Sequence, residues 1–289
     1  MSSAEIARPA PAWQAWLQLA RVSNTPTVIS NTVAGAVLAS FIAEVSTVVI
    51  VAVAMALFYT AGMILNDVLD EDVDRVERPE RPLPSGAVSR SAAIVVVAVL
   101  FAVGLALLLV EGLEPFLAGV GLVALICLYD SWHKGNVLSP VLMGGCRALV
   151  YVVAALAVAG EVPLEVWTAA AVLLIYIVGL TQVAKAEGGS LLAAWPLAAV
   201  LAAIGYWVGW VDSVPFALLL VAFAAWVARA LWLIRERRRI GQGVVSLIAG
   251  VSLFDALAVA SAGGSLAAVA VCVACFLVTI GLQTKIAGT

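Results

Sequence analysis

Residues 63–86 read MILNDVLDEDVDRVERPERPLPSG, and five acids fall within the eight positions from Asp67 to Asp74. On a helix, Asp67, Asp70 and Asp74 stand at i, i+3 and i+7, so the three carboxylates share one face with Asn66 beside them. Carboxylates packed this closely repel one another unless a cation sits among them. Hard oxygen ligands favour Mg²⁺, which takes one or two carboxylates and completes its shell with water and substrate phosphate. A metal held in this way implies a phosphate ligand. Arg75, Arg78 and Arg81 follow at once, and guanidinium groups neutralise and grip diphosphate oxygens. The competing reading is a solvated loop whose acids and bases cancel each other. Against it stands the one-face spacing, which begins at the end of an apolar run.

The elements that must carry these residues are membrane helices. The chain has 289 residues, of which 64% are hydrophobic and 11% charged, with a mean hydropathy of +1.12; a soluble domain needs roughly 25% charge to keep its surface wet. Apolar runs of about 20 residues suit helices crossing a hydrocarbon core of roughly 30 Å, and barrel-like alternation is missing. Spans are predicted near 25–43, 46–65, 91–111, 114–130, 138–159, 165–184, 191–210, 214–234, 243–261 and 265–283. The expected architecture is all-α, a polytopic bundle of nine or ten helices in one domain over 1–289. Residues 1–24 form a lead-in in which Trp13, Trp16, Leu17, Leu19 and Ala20 can make one face of an interfacial helix.

Charge sets the expected orientation. Arg8 and Arg21 precede the first span, and Arg75, Arg78, Arg81 and Arg90 follow the second. Lys134, Lys185, Arg235, Arg237, Arg238, Arg239 and Lys285 follow even-numbered spans. The opposite loops hold Glu44, Glu111, Glu114, Glu161, Glu165 and Asp212 with no Lys or Arg. Basic residues accumulate on the cytoplasmic side, so both termini and the acidic stretch are expected there.

Several chemistries are disfavoured. Cys127, Cys146, Cys272 and Cys275 lie in apolar helices, where cysteine packs as a small hydrophobe, and no disulfide is expected. His133 is the only histidine, which leaves Ser and Cys nucleophiles without a base and nearly excludes a histidine metal site. The scattered basic residues lack an interleaved aromatic surface for nucleic acid.

Asn66-Asp67-Val68-Leu69-Asp70-Glu71-Asp72-Val73-Asp74 resembles the N-D-x-x-D-x-x-x-D signature of the UbiA superfamily of intramembrane prenyltransferases. Arg81-Pro82-Leu83-Pro84-Ser85-Gly86 is similar to that family's R-P-L-x-x-G continuation, and Tyr129-Asp130-Ser131-Trp132-His133-Lys134 to its Y-x-x-x-(x)-K element. The resemblance implies a helical bundle around a central cavity, in which Mg²⁺ holds a prenyl diphosphate and an apolar tunnel takes its tail. Loss of diphosphate then gives an allylic cation-like species that alkylates a small acceptor. It implies that Asn66, Asp67, Asp70 and Asp74 carry the metal, that Lys134 and Arg81 contact diphosphate oxygens, and that Tyr129 shapes the site. The phrases RVSNTPTVISNTVAG and GGCRALVYV look most like the bacterial EboC-like branch, which implies an inner-membrane protein with a small metabolite as acceptor.

The chain departs from the family pattern after the sixth span. A second acidic element, D-x-x-x-D, is expected there, and this chain has Lys185 and Gly189 in the two aspartate positions, with Glu187 as the remaining carboxylate. On one reading Lys185 replaces the second ion and Gln182 adds a hydrogen bond. On another, ordinary ionisation is lost and the protein binds or translocates a prenylated lipid or metabolite. Arg147 and Asp255 lie inside apolar spans, where each costs roughly 2.5–3.5 kcal/mol unless paired or wetted. Arg147 is expected to face the diphosphate or to pair with Asp130 or Asp255. Asn31 is the candidate on the acceptor side, and Gly144-Gly145 reads as a packing contact.

Overall fold

The computed structural model describes residues 12–40, 42–185, 194–235 and 239–286. Among these residues there are eleven α-helices, one short 3-10 helix and no strand. They are α1 (Ala12–Leu19), α2 (Pro26–Ala39), α3 (Val45–Glu77), α4 (Arg90–Glu111), α5 (Leu113–Trp132), α6 (Ser139–Ala159), α7 (Leu164–Lys185), α8 (Ala194–Val208), α9 (Val214–Arg235), α10 (Ile240–Ser261) and α11 (Leu266–Gln283).

Local chemistry accounts for many of the boundaries. Pro26 opens α2 at the position where its missing N–H costs nothing. Ser89 and Ser265 cap α4 and α11, their hydroxyls accepting from the backbone N–H groups of Ala92 and Ala268. Gly160 ends α6 at φ 70, a left-handed conformation that favours glycine.

The ten expected spans each become a helix, but they are not equivalent. Eight helices among the described residues are long and apolar enough to cross a membrane. The stretch expected at 25–43 yields only the 14 residues of α2, because Ser40 turns extended at φ −155 and ψ 126. At 1.5 Å per residue that is about 21 Å, short of the roughly 30 Å core. The 15-residue α8 is short as well. The 33 residues of α3 go the other way, to about 50 Å, and its acidic end stands clear of the apolar layer.

Two buried clusters make up the interior. One gathers around α7, α9 and α10, the other around α3, α4 and the second half of α6. Helices α2 and α6 supply residues to both and form the seam between them. They meet at Gly35, where a Cβ would come within 2.7 Å of the Tyr151 Cα. Gly144 and Gly145 bear out the packing reading, since a Cβ would sit 3.0 Å from the Leu174 carbonyl oxygen at the first and 3.1 Å from the Leu125 side chain at the second. Valines and leucines on the outer faces, among them Val95, Val99, Leu218, Val221 and Leu277, are exposed, as a lipid-facing surface requires. Ala15 and Leu19 of α1 and Ala20 just after it are buried, and Trp16 packs beside them. Trp13, in the first turn of this helix, is exposed instead.

Candidate active site at the end of the third helix

The acidic run is neither a loop nor freely solvated. It forms the last turns of α3, and Asp67, Glu71 and Asp74 are all buried. Arg81 lies 2.7 Å from Asp74 and 3.6 Å from Asp67, which also receives Arg21 at 3.1 Å. Lys134 Nζ meets Asp70 at 2.6 Å, with His133 Nε2 at 3.5 Å. Glu71 faces a different pair, Arg75 and Arg90, at 2.6 and 2.8 Å.

The three aspartates therefore share a face without converging on one point. Seven residues bring a helix back to within about 20°, whereas three leave it roughly 60° away. Asp67 and Asp74 accordingly share one guanidinium while Asp70 turns to the end of α5. Among the described residues no three His, Cys, Asp or Glu side chains stand close enough to form a cage for an ion.

The turn after α3 explains how Arg81 returns to its own helix. Successive bonds, from Arg81 N–H to the Arg78 carbonyl, Ser85 N–H to that of Arg81, and Gly86 N–H to that of Leu83, coil 78–86 tightly. Leu83 is buried, and Gly86 takes φ 74, which a β-carbon would strain. Arg21 is held by comparable geometry. It is the one non-glycine residue with positive φ among the described residues, at φ 44, and its carbonyl accepts a 3.3 Å bond from the Tyr59 hydroxyl. This left-handed backbone aims the Arg21 guanidinium at Asp67.

Below the ion pairs lies a cavity of about 430 Å³. Arg21, Tyr129, Asp130 and His133 line it where it meets the ion pairs, and Met55, Phe58, Ile177, Leu180 and Val251 are among its apolar walls. Arg21 and His133 belong both to this wall and to the carboxylates of α3, so the ion pairs and the chamber form one continuous site. The Tyr129 ring stacks on His133 at 5.4 Å. Hydrogen bonding to Asp70 raises the His133 pKa from its ordinary value and outweighs the opposing effect of burial.

The intramembrane charges meet through an intermediary. Arg147 lines the cavity with its guanidinium over the Tyr59 ring at 5.6 Å, and it donates to Asn31 Oδ1 at 2.9 Å. Asn31 Nδ2 donates in turn to both oxygens of Asp255 at 2.9 Å, and Ser30 and Tyr151 add hydroxyl donors to that carboxylate. This corrects two expectations. Arg147 forms no direct ion pair with Asp130 or Asp255, because the Asn31 amide occupies the space between the charges. Asn31 is fully buried in this relay and does not line the cavity.

Gln182 also lies off the cavity wall, since the adjacent Thr181 and Ala184 take the inward positions on α7. Glu187 lies outside the described residues, as does the side chain of Lys185. Arg21, Tyr59, Asp130 and His133 belong to the site although the sequence reading did not place them there. Two of them sit within the YDSWHK stretch already singled out, while Arg21 had been counted only as an orientation charge.

The sequence profile of the UbiA prenyltransferase family matches residues 28–242. The chain belongs to that family. Similar curated proteins include the digeranylgeranylglyceryl phosphate synthases of Sulfolobus acidocaldarius, 35% identical over 40% of this chain and 42% of that protein, and of Natronomonas pharaonis, 36% identical over 41% and 43%. The match thus spans less than half the length of these relatives. A UbiA homologue from Archaeoglobus fulgidus bound to GPP and Mg²⁺ superposes with a TM-score of 0.61 at 16% identity, covering 86% of this chain and 99% of that one. The apo UbiA homologue from Aeropyrum pernix gives 0.55 at 20% identity over 90% and 97%. At these identities the shared property is the UbiA fold, an integral membrane helical bundle.

Proposed function

We propose that this UbiA-family chain, acting as one unit over 1–289, transfers a prenyl group from a prenyl diphosphate to a small acceptor inside the membrane, with Mg²⁺ as cofactor. The observation that carries this reading is the continuity between a cluster of buried ion pairs and an apolar chamber through Arg21 and His133. One end suits a polyanion and the other a hydrocarbon tail. Relatives support it: the curated ones are named as synthases of a prenylated glyceryl phosphate, and a neighbour of the same fold binds GPP and Mg²⁺.

The donor set fits the metal. Asn66, Asp67, Asp70 and Asp74 offer hard oxygens, and their lack of a protein cage suits an ion that takes one or two carboxylates and shares the remaining positions with water and phosphate. When bound there, Mg²⁺ neutralises charge on the diphosphate. Arg81 and Lys134 are positioned to exchange part of their carboxylate contacts for phosphate oxygens, and Arg21 and His133 face the same ligand from the cavity side. The allylic C–O bond breaks, and its electrons leave with the diphosphate. The acceptor then bonds to the allylic carbon and loses a proton. The walls around Phe58 and Val251 keep water away, and Tyr129 turns an aromatic face to the developing cation.

Arg147 is available to an anionic or polar part of the acceptor. Lys185, which follows the cavity-lining Ala184, supplies positive charge where the family pattern has a second acidic element. The excess of basic residues at this end supports a site on the cytoplasmic side of the cytoplasmic membrane, with both termini on that side.

The test is diphosphate release from geranylgeranyl diphosphate by purified protein in nanodiscs. Release is expected to require Mg²⁺, and Asp70→Ala is expected to lower kcat/KM by about 100-fold or more, the scale of losing one transition-state charge contact. Binding without release would make the protein a carrier of prenylated molecules.

A further inference from the structure

Asp130 carries an unanswered valence. It is only 3% exposed. Its Oδ1 accepts from Asn66 Nδ2 at 3.2 Å, while its Oδ2 is buried with no hydrogen-bond partner. The side chain lines the cavity. Opposite it, on α3, stands Gly62, where a Cβ would lie 4.0 Å from that same oxygen. With glycine there, no side chain at this position of α3 covers Oδ2, and one helical turn separates it from Asn66 at the edge of the proposed diphosphate site.

We propose that Asp130 is the acceptor-orienting residue of this protein: its free oxygen receives a hydrogen bond from an acceptor O–H or N–H and holds the nucleophilic end of that molecule between Asn66 and Gly62. This rests on the prenyl-transfer reading and names the acceptor class, a molecule with a hydroxyl or amine donor at its reacting end. An ionised carboxylate oxygen only accepts, so in that state the position selects for donors. The cavity-lining Ile126 and Leu122, earlier on the same helix, are apolar and offer a ligand no hydrogen bond. A buried site built to satisfy one hydrogen bond discriminates strongly against an isostere that lacks it.

Full-length protein in nanodiscs is titrated calorimetrically, against empty discs, with para-hexylphenol and with its methyl ether, in EDTA and without donor. A separate titration uses geranyl diphosphate with Mg²⁺. The native protein is expected to bind the phenol about tenfold or more tightly than the ether, and Asp130→Asn to reduce that preference to about twofold or less. In Asp130→Asn the affinity for geranyl diphosphate with Mg²⁺ is expected to stay within about twofold, because the amide oxygen can still accept from Asn66. Gly62→Ala keeps the carboxylate but fills the space facing it, and it is expected to weaken the phenol selectively.

The proposal is overturned if the native protein fails to favour the phenol, if the preference survives in Asp130→Asn, or if that variant loses geranyl diphosphate instead, which would assign the carboxylate to the metal site. Failure of the native protein to bind geranyl diphosphate with Mg²⁺ would count against prenyl transfer itself, and the phenol-to-ether ratio still decides the role of Asp130.

Discussion

Arg81 and Lys134 both neutralise aspartates of α3, yet their surroundings differ. The Arg81 side chain is 17% exposed and bridges two buried carboxylates, whereas that of Lys134 is 47% exposed and meets one. Removing one partner of a buried pair leaves the other charge uncompensated, and Arg81→Ala is expected to cost roughly 3–5 kcal/mol, measured by thermal or denaturant unfolding. Lys134→Ala is expected to cost no more than about 1 kcal/mol while still reducing diphosphate release, because an exposed pair contributes little to the fold. Asp255 allows a second prediction. With Asn31 between them, exchanging the charges as Arg147→Asp with Asp255→Arg is expected not to restore expression, whereas a directly paired couple would be rescued. Asp70, Lys134 and Arg81 were legible because each lies in a short run whose spacing is itself the signal. The Arg147 to Asp255 link was not, because it depends on an amide more than a hundred positions away from either charge.

Among the elements, α2 and α3 bear the most weight. The length of α3 is what lifts the carboxylates out of the apolar layer while keeping them on a rigid scaffold, and this was readable from the helical spacing that continues past the hydrophobic run. The brevity of α2 was not readable, since apolar residues continue beyond Ser40 and only the backbone conformation shows where the helix stops. Its polar residues Thr27, Ser30, Asn31 and Thr32 are buried at the seam and satisfied there by the 3-10 turn before it, by their own helix and by α6 and α10. That seam depends on Gly35. Gly35→Val would push a side chain into the Tyr151 backbone, and overpacking of this kind is expected to cost about 1–3 kcal/mol. The measurement is a lowered unfolding temperature in detergent, with Ala39→Val, at the far end of α2, as the control.

For the whole molecule, the asymmetry of charge and the alternation of helices give a testable orientation. Cysteines introduced at Ser85 and Ser131, in a background without the native four, are expected to react with a membrane-impermeant maleimide only from the cytoplasmic side. Cysteines at Glu161 and Ser213 are expected to react only from the other side. The reverse pattern would place the ion-pair cluster outside the cell and remove access to a cytoplasmic diphosphate. The same bundle keeps its polar work in two places: the ion pairs at the end of α3, and the Asp255 network within α10, most of which is buried. The cavity lies between them, touched by Arg21 and Asp130 at one end and by Arg147 deeper in.

From the sequence alone followed the helical membrane class, the positions of most helices, the acidic ladder and its arginine continuation, because hydropathy and helical periodicity are local properties that survive without a partner. Tertiary structure decided which cation faces which carboxylate, that Arg21 and His133 join the ion pairs to a chamber, and that one Asp130 oxygen is buried without a hydrogen-bond partner. Those outcomes depend on residues from separate helices arriving within about 3 Å of each other, a distance that packing sets and that spacing along the chain does not encode.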